Sequence, residues 1–156
     1  MITEKSSSWF DEGKFGLFVH WGLYSLLGKG EWAFLKNRIP KAEYNALAEE
    51  FNPPASFHPE EWVLLAKRAG MKYAVLTPRH HDGFALFDSK LSVFNSVQTA
   101  AKRDFVREFV EACRKHGLRV GLYYSIMNWQ FPACQTGPLE DPKGWEAMVE
   151  LTHGQL

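Results

Sequence analysis

Apolar residues fall along this chain in two patterns, and the alternation between them predicts the fold. Phe15 to Val19, Lys72 to Thr77 and Arg119 to Ser125 are short, nearly continuous apolar runs, as in strands buried on both faces of a parallel sheet. Between and after them the apolar spacing changes to three and four. A helix opens at Pro40 and carries Tyr44, Leu47, Ala48 and Phe51 along one stripe. A second begins at Pro59, with Glu60 and Glu61 in its first turn, Lys67 and Arg68 in its last and Gly70 as its stop; Trp62, Leu65, Ala66 and Ala69 share one face. After a long loop through Asn95, a third helix spans Arg103 to His116 and ends at Gly117. It buries Phe105, Val106, Phe109, Val110 and Cys113 and turns Arg107, Glu108, Glu111 and Arg114 to water. Pro142 opens a fourth, carrying Trp145, Met148, Val149 and Thr152.

Strands alternating with helices, with short returns from helix to strand, predict parallel strands joined by right-handed crossovers. Each predicted strand ends in polar or aromatic residues: His20-Trp21-Gly22, then His80-His81-Asp82-Gly83-Phe84, then Ser125 with Asn128-Trp129 close behind. Loops that follow parallel strands open on one face, so this is the rim of a (β/α) barrel, where such folds keep their chemistry. A full barrel takes eight strands and about 250 residues. Three strands make a partial barrel, roughly half of one, read as a single domain over residues 1–156. Its open sheet edges and uncovered face predict self-association into a homo-oligomer.

Charge narrows the partners. With 18 basic and 18 acidic residues and no clustered basic face, nucleic acid and anionic membranes are excluded as expected partners, and no apolar run approaches the roughly 20 residues of a membrane span. A soluble, cytoplasmic protein with a small neutral ligand is expected. Cys113 and Cys134 read as two free thiols, and no cofactor is implied. Six Trp, five Tyr and twelve Phe exceed what one small core easily absorbs, so some rings should line a surface. Aromatic rings pack flat on the C–H faces of sugars, although core packing accounts equally well for any single ring.

Lys14 to Gly22, Glu31-Trp32, His80 to Phe84, Asp88-Ser89-Lys90, Phe94-Asn95-Ser96, Lys102-Arg103-Asp104 and Gly121 to Ser125, in that order, resemble the α-L-fucosidases of glycoside hydrolase family 29. The resemblance runs from about Trp9 to Leu156. It implies a (β/α) barrel that removes L-fucose from glycoconjugates with retention, and a fucose site formed by His20, Glu31, Trp32, His80, His81 and Tyr123, with Asn128 and Trp129 on the rim. These residue types suit a polyol: neutral imidazole offers one donor and one acceptor, and a carboxylate accepts from two hydroxyls. The family's nucleophilic Asp and acid/base Glu follow later strands, so the candidates within this chain are Glu31 and Asp82, with Glu140 or Asp141 in the loop after the third strand.

Each residue also has a plainer reading. Asp82 before Gly83 suits a turn, His80 and His81 could bond loop carbonyls, and His116 and His58 read as helix-end residues. Only one of Tyr123 and Tyr124 can face the pocket, and the resemblance favours Tyr123. Metal-dependent hydrolysis is the rival chemistry, but His20-Trp21-Gly22 lacks the His-x-His pair common on the first strand of barrel metallohydrolases, so no metal is expected. The alternative to an oligomeric fucosidase is a non-catalytic fucose-binding fragment, or half of a split enzyme.

Overall fold

The computed structural model describes residues 8–156. Its elements are α1 (Ser8–Gly13), β1 (Gly16–Val19), α2 (Tyr24–Leu27), α3 (Ala33–Lys36), α4 (Lys41–Glu50), α5 (Glu60–Arg68), β2 (Tyr73–Arg79), α6 (Phe105–His116), β3 (Arg119–Tyr124), α7 (Ala133–Thr136) and α8 (Pro142–Gln155). The three strands form one parallel sheet in the order β1-β2-β3, with Gly16 beside Tyr73 and Tyr73 beside Arg119. This is an open α/β sheet with helices. The short turns α1, α2, α3 and α7 are not foreshadowed by the apolar pattern, because segments of this length carry no periodic signal.

Local chemistry explains the longer elements. Asp104 caps α6 by accepting from the Arg107 N–H at 2.8 Å, and Gly117 ends it in the left-handed conformation at φ 72°. Asp141 caps α8, accepting from the Gly144 N–H at 2.9 Å. In α5 the buried residues are Val63 and Ala66, whereas Leu65, expected inside, is 56% exposed. At about 100° per residue, the face that meets α6 and the sheet lies roughly one position round from the predicted stripe.

The core lies between the sheet and α5 and α6. Trp21 anchors its upper end, with its ring centre 4.8 Å from Phe51, 4.9 Å from Phe105 and 5.3 Å from both Phe57 and Trp62. Much of the aromatic excess is therefore core. The opposite face of the sheet is covered at its lower end, where Trp9 and Phe10 of α1 pack on Tyr73 with ring centres 6.0 and 5.6 Å away. It is open toward the strands' carboxyl ends: Phe18 is 51% exposed and Tyr123 42%, while Leu122, on the helix side of the β3 edge, is 49% exposed. Gly16 is required on that face because the Tyr73 ring lies against it and leaves no room for a Cβ. No helix among the described residues is long and apolar enough to cross a membrane.

Candidate functional site

An irregularity in β2 aims the site. Leu76 pairs with Leu122, yet the next pair joins Arg79, not Pro78, to Tyr124, so β2 holds one residue more than β3 over this stretch. A bulge of this kind shifts the parity of every later side chain. Pro78 lines a groove with Tyr124 and Gln155, and the Arg79 guanidinium sits 4.4 Å from the Tyr124 ring centre, so both face the helices. His80 consequently emerges on the open face, 5.4 Å from His20, ring centre to ring centre.

From there the rings form one continuous series. His20 lies 4.7 Å from Phe18 and 5.9 Å from Tyr123; His80 lies 4.1 Å from His81; His81 lies 5.4 Å from Trp32 and 5.0 Å from Trp129; Trp32 and Trp129 are 5.1 Å apart. Tyr123 thus faces the site, and Tyr124 faces away, donating to Gln155 Oε1 at 2.7 Å. Glu31, half-buried beside Trp32, acts electrostatically on His80 and His81, favouring their charged forms against the pull of burial. Residues from three strand ends and the α2–α3 connection therefore meet in one place.

Burial holds His80 and His81 in their neutral forms. Desolvation, with His81 and His20 adding to it, lowers the His80 pKa to about 4; His81 is lowered by burial and by the Arg79 charge. Near neutrality each ring presents one donor and one acceptor, as polyol recognition requires. The His81 Nδ1 is hydrogen-bonded to Ser125 Oγ, whereas the buried Nδ1 of His80 has no protein partner.

The structure corrects two placements. Asp82 is 1% exposed and turns inward: Tyr44 of α4 donates to Oδ2 at 2.7 Å and the Phe84 N–H to Oδ1 at 3.2 Å. Burial raises its pKa to about 6, against the lowering effect of the Tyr44 bond. It has no oxygen free on the rim for catalysis and serves the turn. Asn128, expected on the rim, is also 1% exposed; its Oδ1 accepts from the Gln130 N–H at 3.0 Å and lies under the Gly83 turn. Gly83 is at φ +84°, where a Cβ would come within 2.5 Å of that same oxygen. Trp129 is buried within the ring series, its backbone N–H donating to the His81 carbonyl at 2.7 Å. Of the remaining acids, Asp141 is the α8 cap and Glu140 is exposed in the loop before it.

Several motif residues support the site from a distance. Asn95, fully buried, ties the β2–α6 loop together, accepting from the N–H groups of Val97 and Gln98 and donating to the Ser92 carbonyl. Arg103 pairs with Glu108 at 2.6 Å and donates to the Phe57 carbonyl. The roles of Tyr44, Gln130 and Arg79 at the site are invisible in the sequence. Gln130 Nε2 donates to the Asp82 carbonyl and to Asn45, joining the turn to α4, and nothing in the local pattern announces so distant a contact. Among the described residues, no three His, Cys, Asp or Glu side chains are placed to hold a metal ion.

An aromatic, imidazole-rich recess thus lies at the carboxyl ends of parallel strands, where α/β folds place small-molecule sites. Comparison with known proteins narrows this. The α-L-fucosidase family profile matches residues 2–151, and the chain belongs to that family. It is 43% identical over 141 residues to a tissue α-L-fucosidase of Rattus norvegicus, covering 80% of this chain and 30% of that protein. Among solved structures it resembles α-L-fucosidase isoenzyme 1 from Paenibacillus thiaminolyticus, with a TM-score of 0.88, 40% identity and coverage of 97% of this chain and 39% of that one. It also resembles an α-L-fucosidase from Lactobacillus casei in complex with α-L-fucose product, with a TM-score of 0.75, 44% identity and coverage of 81% and 43%. The chain spans less than half the length of these relatives.

Proposed function

We propose that these residues form the fucose-binding part of an α-L-fucosidase, with the sheet as the first strands of a (β/α) barrel. The ligand is a terminal α-L-fucose on a glycan or small fucoside, held by His20, Glu31, Trp32, His80, His81 and Tyr123 and stacked against Trp129. The observation that carries this reading is the unbroken ring series from Tyr123 to Trp32, gathered from separate strand ends. Membership of the family supports fucose as the sugar, and a product complex is known for a relative that shares the fold.

Retaining hydrolysis needs two carboxylates roughly 5–5.5 Å apart. Glu31 is the acid set against the histidines among the described residues, and Asp82 faces inward. The partner carboxylate then comes from outside them, and we propose that a second copy of the chain supplies it across the open sheet face. Half-exposed Phe18 and Tyr123 beside the site support such a junction. The other arrangement is a fucose-binding unit completed by a different polypeptide.

The test is hydrolysis of a p-nitrophenyl α-L-fucoside by each oligomer fraction from a sizing column, with fucose titration in parallel. Activity confined to an oligomer supports completion in trans, and turnover by Glu31→Gln then decides the role of that residue. Fucose binding without turnover in any fraction selects the binding unit. Absence of both removes the reading.

A further inference from the structure

We propose that Ser125 is a positioning residue that sets the tautomer of His81, accepting its Nδ1–H and leaving Nε2 as a bare acceptor for a ligand hydroxyl. The proposal rests on the fucose reading only for the identity of that ligand. Ser125, 3% exposed just beyond β3, has one proton to give, and its Oγ lies 3.1 Å from the Met127 carbonyl, which can only accept. With the hydroxyl proton so engaged, the oxygen meets His81 Nδ1 with a lone pair, and in a neutral ring that nitrogen must carry the hydrogen.

Arg79 fixes the frame in which this happens. Its Nη2 donates to the Ser125 carbonyl at 2.6 Å and to the Met127 carbonyl at 3.3 Å, while the Ser125 N–H donates back to the Arg79 carbonyl at 3.1 Å. The guanidinium is 1% exposed, stacked on Tyr124, with Nη1 3.3 Å from Gln155 Oε1. Both carbonyls around the serine are thus pinned by a buried cation, and the loop cannot turn the hydroxyl toward His81 without giving up the Met127 bond. His80 differs, because its buried Nδ1 has no protein partner to choose a tautomer. The adjacent histidines therefore offer a ligand unequal chemistry: His81 is a committed acceptor and His80 adapts.

Protein labelled with nitrogen-15 histidine reads this directly, because the ring nitrogens of the two tautomers have different shifts; His81→Gln assigns the signals. The expected result without sugar is the Nδ1–H form in the wild type, its loss or mixing with the Nε2–H form in Ser125→Ala, and its retention in Ser125→Thr. Fucose affinity should fall about tenfold in Ser125→Ala, the scale of one misdirected hydrogen bond, and recover in Ser125→Thr. An Nε2–H form in the wild type, or an unchanged tautomer in Ser125→Ala, overturns the proposal. If the wild type binds no fucose, the functional reading fails while the sugar-free spectra still decide the tautomer.

Discussion

The two halves of the site are built differently. After β2, His80, His81 and Asp82 are almost fully enclosed, with His81 and Asp82 tied by side-chain hydrogen bonds and His80 held by ring contacts; after β1 and at the end of β3, His20 and Tyr123 lie open to solvent and contribute mainly ring contacts. β2 is the central strand, flanked on both sides, and the turn after it is gripped by α4 and by the loop after β3. The flanking strands each have one partner. A central strand end can be preorganised by its own chain, whereas an edge strand end needs a further surface before its side chains are held.

That contrast can be broken most severely at Gly83. Gly83→Ala puts a Cβ within 2.5 Å of Asn128 Oδ1 at a backbone angle that L-residues avoid, so a loss of about 3 kcal/mol or more in urea unfolding is expected, together with loss of fucose binding. Gly117→Ala, also at positive φ but with nothing within 4 Å of its Cβ, should cost only about 1 kcal/mol and leave binding intact. Equal effects would mean that the enclosed half is not held by this close approach.

Acid should act on the same half in two opposed ways. Between pH 6.5 and about 4 the unfolded chain protonates His80 and the folded chain does not, so this contribution to stability is lost as pH falls through that window. Asp82 works in reverse: with its folded pKa raised to about 6, the folded form holds a proton that the unfolded form releases above about pH 4, so its contribution is lost as pH rises from about 4 to 6. Each is worth up to about 3 kcal/mol at full separation, and His81, also lowered by burial, adds to the His80 side, so Asp82 offsets part of the acid loss in the wild type and Asp82→Asn should fall more steeply as pH drops. Denaturant midpoints at half-unit pH steps would show the steeper fall of the variant, and parallel wild-type and Asp82→Asn profiles would refute the opposition.

Smaller effects separate the halves further. Tyr44→Phe leaves a buried Asp82 oxygen without its donor and should cost about 2 kcal/mol of stability, while also weakening fucose binding through the displaced turn. His20→Ala and Tyr123→Ala should change stability by less than about 0.5 kcal/mol yet weaken fucose binding, because these side chains are exposed in the isolated chain. Calorimetric binding paired with thermal unfolding distinguishes the two outcomes, and a large stability loss in Tyr123→Ala would show that the open half is structural after all.

Much of this was legible in the residues. The continuous apolar runs marked three strands, the Gly117 stop and the three-four spacing marked α6, and His20, His80 and His81 fell on one rim because parallel strands must end on one face, while Glu31, Trp32 and Tyr123 were added by the family resemblance. Periodicity and capping are local, so a sequence can carry them by itself. The inward turn of Asp82, the burial of Asn128, and the grip of Tyr44 and Gln130 on the turn depend on contacts far apart in the chain. The extra residue in β2 is decisive, because it reverses the parity of the side chains beyond it. Simple alternation would send His80 toward the helices and Arg79 to the pocket, and only pairing with β3 shows the opposite. Element type and the inventory of chemical groups belong to the sequence, while the direction each group faces, and hence whether it binds or braces, is a property of the assembled sheet.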